Sequence, residues 1–103
     1  MRRSFDSNKL SQLREMSSET ALTLMTIDLK ADASFVPVKD SASRRWHART
    51  ATGEFEILTT GTKWYDTRAK RGGGGAIDLA IHLCGLSFVE AVKYLTQQRR
   101  GHG

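Results

Sequence analysis

Apolar residues in the first third of the chain recur at helical intervals. Leu10 and Leu13 fall three apart, Met16 comes three further on, and Ala21, Leu22 and Met25 share a face beyond Ser18. Ser18 reads as an N-cap between two helical stretches, the second reaching about Leu29. From Lys30 to Ser43 the pattern dissolves into small and polar residues around Pro37, which predicts a connector. The period then changes to two. Trp46 and Ala48 share one face of a stretch from Arg45 to Thr50, and Phe55 and Ile57 do the same between turns at Thr52-Gly53 and Thr60-Gly61. With the short run Lys63-Trp64-Tyr65-Asp66, rich in aromatics, these stretches predict a three-stranded antiparallel meander.

Four glycines, Gly72 to Gly75, then open a helix. Ala76, Ile77, Leu79, Ala80, Ile81, Leu83 and Cys84 make it apolar on more than one face, which predicts burial, and Gly85 is placed to end it in the left-handed conformation. Ser87 and Glu90 form a capping box for a last helix whose inward face is Phe88, Ala91, Val92 and Leu95. Residues 97–103 have no apolar anchor and are expected to fray as a flexible tail. The expected fold class is therefore α+β, in one domain over residues 1–96: N-terminal helices, a small three-stranded antiparallel sheet, and two C-terminal helices packed on it.

Charge changes this picture by its placement. The chain carries a formal +5, and the segment from Arg44 to Arg71, with seven basic and three acidic residues, accounts for +4 of it. Such a concentration favours an anionic partner, the plainer alternative being a solvated basic surface. Cys84 is the lone cysteine, so no internal disulfide forms, and a reducing cytoplasmic location is expected. The absence of a long apolar run, and of a signal-peptide core in Met1–Asp6, leads us to expect neither a membrane span nor export by that route.

Cations followed by glycines form the sharpest local feature, Arg68-Ala69-Lys70-Arg71 ahead of Gly72 to Gly75. Glycine amides at a helix start could cradle a phosphate, or the glycines could simply permit a tight strand-to-helix joint. The run lacks the Lys-Ser or Lys-Thr of a Walker A loop and the spacing of a dinucleotide fingerprint. Aromatics Trp46, Phe55, Trp64 and Tyr65 are interleaved with Arg45, Arg49, Lys63 and Arg68, the mixture that single-stranded nucleic acid requires. Alternation forbids both faces from being functional, so Trp46 and Phe55 are assigned to the core and Tyr65 or Trp64 to stacking. Asp78 and His82 are spaced to pair across one helical turn. Three histidines and one cysteine at scattered positions make no metal signature, and no nucleophile–base set or acidic cluster emerges. No cofactor, metal or catalytic residue is therefore assigned.

The stretch KWYDTRAKRGGGGAIDLAIHLCGLSFVEAVKYL, from Lys63 to Leu95, resembles the second half of the zinc-binding domain of bacterial-type DNA primases. The shared features are the glycine turn before Ala76-Ile77-Asp78-Leu79, the break at Cys84-Gly85-Leu86, and the Ser87-Phe88-Val89-Glu90-Ala91-Val92 helix. The family's zinc ligands are absent, so the nearer likeness is to the zinc-less form of this domain in primase-like Toprim proteins of plasmids and integrated elements. This resemblance implies a single-stranded DNA-binding module acting in replication or transfer of a mobile element. By the same resemblance it is expected not to be an enzyme itself, because priming would need a separate Toprim domain. The residues expected to contact DNA are Arg45, Arg49, Lys63, Arg68, Lys70 and Arg71 for phosphates, Trp64 or Tyr65 for stacking, and the amides of Gly73, Gly74 and Gly75. The alternative is an adaptor docking to a primase, helicase or conjugation protein.

Overall fold

A computed structural model describes residues 7–102, with side chains as far as Gln98. The chain begins with two short helices, α1 (Ser7–Glu15) and α2 (Ser18–Met25). Five strands follow: β1 (Asp28–Ala31), β2 (Arg44–Thr50), β3 (Gly53–Thr60), β4 (Lys63–Asp66) and β5 (Arg71–Gly74). Two helices complete it, α3 (Ala76–Cys84) and α4 (Phe88–His102). All neighbouring strands pair antiparallel in chain order, so the sheet is a five-stranded meander.

The expected three-stranded sheet is thus corrected to five, one strand being added at each edge. β1 lies where the end of a helix and a connector were expected. Thr26 ends α2 with extended backbone, and Asp28–Ala31 pairs along β2. β5 is built from Arg71 and three of the glycines expected to form the turn that opens the next helix. Glycine is a poor strand former, but a side chain at Gly73 would collide with Asp78 Oδ2 and come within 2.7 Å of Trp64 Cζ2. Close approach to these groups, rather than propensity, selects glycine there.

The helices cover one face of the sheet. α3 is buried at Ala76, Ile77, Leu79, Ala80 and Leu83, and α2 supplies Ala21, Leu22 and Met25. Ala48, Ile57 and Trp64 meet them from β2, β3 and β4. α4 adds Ala91, Val92 and Leu95 and packs on α3 and the N-terminal helices more than on the sheet, a second correction to the expected layout. It also continues to His102, across the stretch expected to be a tail, while the side chains of 99–103 lie outside the described residues.

Local signals explain the element ends. Ser87 Oγ accepts from the Glu90 amide at 3.1 Å, and Glu90 Oε1 accepts from the Ser87 amide at 2.9 Å, so the capping box is closed. Gly85 sits at φ 66°, its amide donating to Ile81 O, a left-handed cap that a side chain would strain. Ser17, not Ser18, caps α2. Ser18 is instead buried, donating its hydroxyl to Lys63 O at 2.6 Å and so tying α2 to β4.

Candidate nucleic-acid interface

Residues directly paired across antiparallel strands share a face, so the register sorts every side chain. Trp46, Ala48, Phe55, Ile57, Thr59, Trp64 and Asp66 turn toward the helices. The opposite, outer face carries Asp28 and Lys30 from β1, Arg45, His47 and Arg49 from β2, Glu54, Glu56 and Leu58 from β3, and Lys63 and Tyr65 from β4. Of the cations named from the sequence, Arg45, Arg49 and Lys63 share the outer face with Tyr65, and Arg68 and Lys70 lie in the β4–β5 turn. Arg71, paired with Asp66, opens β5 on the helix side yet stays exposed.

On β2 the cations are already matched. Arg49 bonds Asp28, its register partner on β1. Arg45 donates through Nε to Asp32 Oδ2 at 2.8 Å and lies over the Phe35 ring at 5.1 Å, while His47 Nε2 is 3.4 Å from the same carboxylate. The Ser34 hydroxyl and amide, with Arg45, hold the Asp32 carboxyl well below the usual carboxylate range. Arg45 and Arg49 are thus the sequence-named cations held by their own protein's acids.

Hairpin β4–β5 is different. Lys63, Arg68, Lys70 and Arg71 have no carboxylate within ion-pair distance among the described residues. Lys63, Lys70 and Arg71 are exposed. The turn that carries Arg68 and Lys70 is held from below by Asp66. One oxygen of Asp66 accepts from the Arg68 and Ala69 amides at 3.0 Å each, and the other bonds His82 Nε2 at 2.7 Å. Burial pushes the Asp66 carboxyl up, but the hydrogen bonds from Ala69, His82 and Arg68 outweigh it and leave its pKa lowered. Lys70 closes the turn with φ 56°, a left-handed conformation unusual for lysine.

The two adjacent aromatics of β4 have opposite fates. Tyr65 is 41% exposed on the outer face, its ring lying over the bare backbone of Gly72. Trp64 is 5% exposed, stacked on His82 with ring centroids 4.9 Å apart and packed against Gly73. Its ring faces are occupied, so base stacking on this strand falls to Tyr65. Trp46 and Phe55, assigned to the core, pack against it while only partly buried.

The glycine amides are committed within the fold. Gly75 N–H donates to Thr62 O at 2.8 Å and Gly74 N–H to Asp78 Oδ2 at 3.2 Å. Antiparallel alternation then makes Gly73 and Trp64 a hydrogen-bonded pair, so the Gly73 amide points into the sheet. Gly73, Gly74 and Gly75 therefore form the tight joint rather than a phosphate cradle. Asp78, in the first turn of α3, accepts from the Gly74 amide ahead of the helix, while His82 turns to Asp66 and not to Asp78. That bond spans 16 residues of sequence, and helical spacing alone carried no signal of it.

Among the described residues no group of three or more His, Cys, Asp or Glu side chains is placed to hold a metal ion, and no helix is long and apolar enough to cross a membrane. Neither a protein-family model nor a solved structure matches the chain. A stretch of 55 residues, 53% of the chain, is 36% identical to a "65 kDa protein" of Zymomonas mobilis subsp. mobilis. That stretch spans 9% of the relative's length, and the relative's name states no activity.

Proposed function

We propose that this domain binds single-stranded nucleic acid along hairpin β4–β5, with DNA the expected strand and replication or transfer of a mobile element the expected setting. The observation that carries the reading is the gathering of four cations, Lys63, Arg68, Lys70 and Arg71, with no acidic partner among the described residues, on the hairpin that exposes Tyr65. An exposed aromatic ring on a basic strand supplies stacking, worth about 1–3 kcal/mol per base, alongside sequence-independent phosphate contacts. A duplex hides its base faces and gains only the phosphate term. The domain acts by binding, with no catalytic group assigned, and a cytoplasmic location fits its lone thiol.

Fluorescence anisotropy with labelled single-stranded and duplex DNA at two salt concentrations tests this. Four phosphate contacts at roughly −0.7 each predict a log–log salt slope near −3 for the single strand. Lys70→Glu with Arg71→Glu should weaken binding about a hundredfold at low salt. Absence of single-strand binding at low salt would sink the proposal.

A second reading, an adaptor for a replication or conjugation protein, is favoured by the apolar side chains of Ile27, Val36 and Val38, which are 61%, 75% and 94% exposed. Docking through these residues would persist at salt concentrations that abolish nucleic-acid binding.

A further inference from the structure

The outer face holds a cleft of about 380 Å³ between the 39–43 loop and hairpin β4–β5. This lies near the small end of the range for ligand clefts, about 300–1,000 Å³. Tyr65 and Leu58 line it with apolar surface, and Lys39 and Lys63 bring positive charge to it. Its hydroxyls, Ser43 Oγ and Thr60 Oγ1, are bonded to each other at 2.6 Å. Asp40 is the acidic residue of the lining, and its Oδ1 accepts from the Ala42 amide at 2.9 Å in a local turn. Its Oδ2 has no hydrogen-bond partner among the described residues.

From this arrangement we infer that the cleft seats one unpaired nucleobase against Tyr65 and selects a base with an exocyclic amine, such as cytosine, through Asp40. The inference rests on the single-strand reading above and adds a base preference to it. An ionised carboxylate only accepts, and the cytosine N4 amine is a donor that aspartate reads well. Uracil presents a carbonyl oxygen at the same ring position, which meets the Asp40 lone pairs unfavourably. Its one ring donor, N3–H, stands between two carbonyls that repel the carboxylate. The lysines at the cleft are free to take the flanking phosphates, so charge and base readout come from different side chains.

Labelled oligomers of deoxycytidine and deoxyuridine, equal in length and alike in ring size, isolate this contact. The full 103-residue chain should bind the cytosine oligomer roughly three- to tenfold more tightly, as one charge-assisted but exposed hydrogen bond allows. In Asp40→Asn the amide oxygen can keep the Ala42 bond while the amide nitrogen becomes a donor toward the ring. The preference should then vanish or reverse without a change in melting temperature. Equal affinities in the unaltered chain, or a cytosine preference that survives in Asp40→Asn, overturn the base seat. If both oligomers bind equally and both are lost on charge reversal of Lys70 and Arg71, only the selectivity falls. If neither binds at low salt, the single-strand reading falls and takes the seat with it.

Discussion

Strand β2 and hairpin β4–β5 carry the same ingredients, basic side chains beside aromatic rings, yet among the described residues only the hairpin presents them to solvent without acidic partners. The difference lies in their neighbours. β2 is flanked by β1, which supplies Asp28, and by the residue after it, Asp32, so Arg49 and Arg45 are matched within the fold. β4 is flanked by β5, a strand of one arginine and three glycines, which brings no carboxylate to the outer face. Asp66, the hairpin's own acid, points inward to His82 and two turn amides instead. A basic cluster is therefore available to a partner according to which strand lies beside it, and the density of lysine and arginine along the chain does not settle the matter.

The largest effect expected sharpens this comparison within β4 itself. Trp64→Ala empties a buried site packed on His82 and Gly73 and should cost about 3–5 kcal/mol of stability. Tyr65→Ala removes a ring from the outer face. It should change stability by less than about 1 kcal/mol while weakening single-strand binding by about 1–3 kcal/mol. Thermal unfolding and anisotropy on the same two variants separate the roles. Loss of binding in Trp64→Ala under conditions where it remains folded would contradict the assignment of stacking to Tyr65 alone.

Next in size is the support beneath the hairpin. Asp66 has a lowered pKa in the folded chain, so as pH falls the unfolded state takes up the proton first. Its contribution is complete above the ordinary aspartate value of about 4 and is lost as pH drops through the lower folded value. Asp66→Asn, which retains the shape without the charge, should cost about 1–2 kcal/mol at neutral pH. Its stability should also fall less steeply below about pH 4 than that of the unaltered chain, as read by denaturant titration across pH. The Asp32 carboxyl, also lowered, adds an acid-labile term in both proteins and so cancels in the difference. Equal acid slopes would show that Asp66 does not anchor the turn.

Much of the fold was legible wherever the signal was local. Ser87 and Glu90 stand three apart and close their capping box within one turn, and alternation marked β2, β3 and β4 directly. β1 was not legible: in four residues it offers one partly buried apolar side chain, Leu29, and its reason for being extended lies across the sheet in β2. β5 had no side-chain pattern to read, since Gly73 answers to Trp64 and Asp78 and Gly72 to Tyr65, neighbours set by strand pairing and by the helix that follows. The candidate site inherited these gaps. Period-two alternation separates Trp64 from Tyr65 but does not say which one faces the helices. Missing β1 also hid Asp28 and Asp32 as partners, so Arg45 and Arg49 looked equivalent to Lys70 and Arg71.

The smallest effect puts that last point to a direct test, because it makes β2 resemble the hairpin. Asp28→Asn with Asp32→Asn removes both carboxylates while leaving side chains of similar shape beside Arg49 and Arg45. The exposed Asp28–Arg49 pair contributes little to stability. At the better-covered Asp32, the amide oxygen of Asp32→Asn can still accept from Ser34, so the larger readout is in binding. Two newly unpaired guanidinium groups on the outer face should tighten single-strand binding several-fold at low salt. If a strand reaches both, the salt slope should also steepen, by roughly 0.7 for each added phosphate contact. A gain in affinity without a steeper slope would mean that the charges act at long range and the strand stays on the hairpin. Should Arg45→Gln with Arg49→Gln weaken binding by the unaltered chain as much as charge reversal of Lys70 and Arg71 does, pairing does not silence β2. The distinction between the two regions would then dissolve, leaving one continuous interface across the outer face of the sheet.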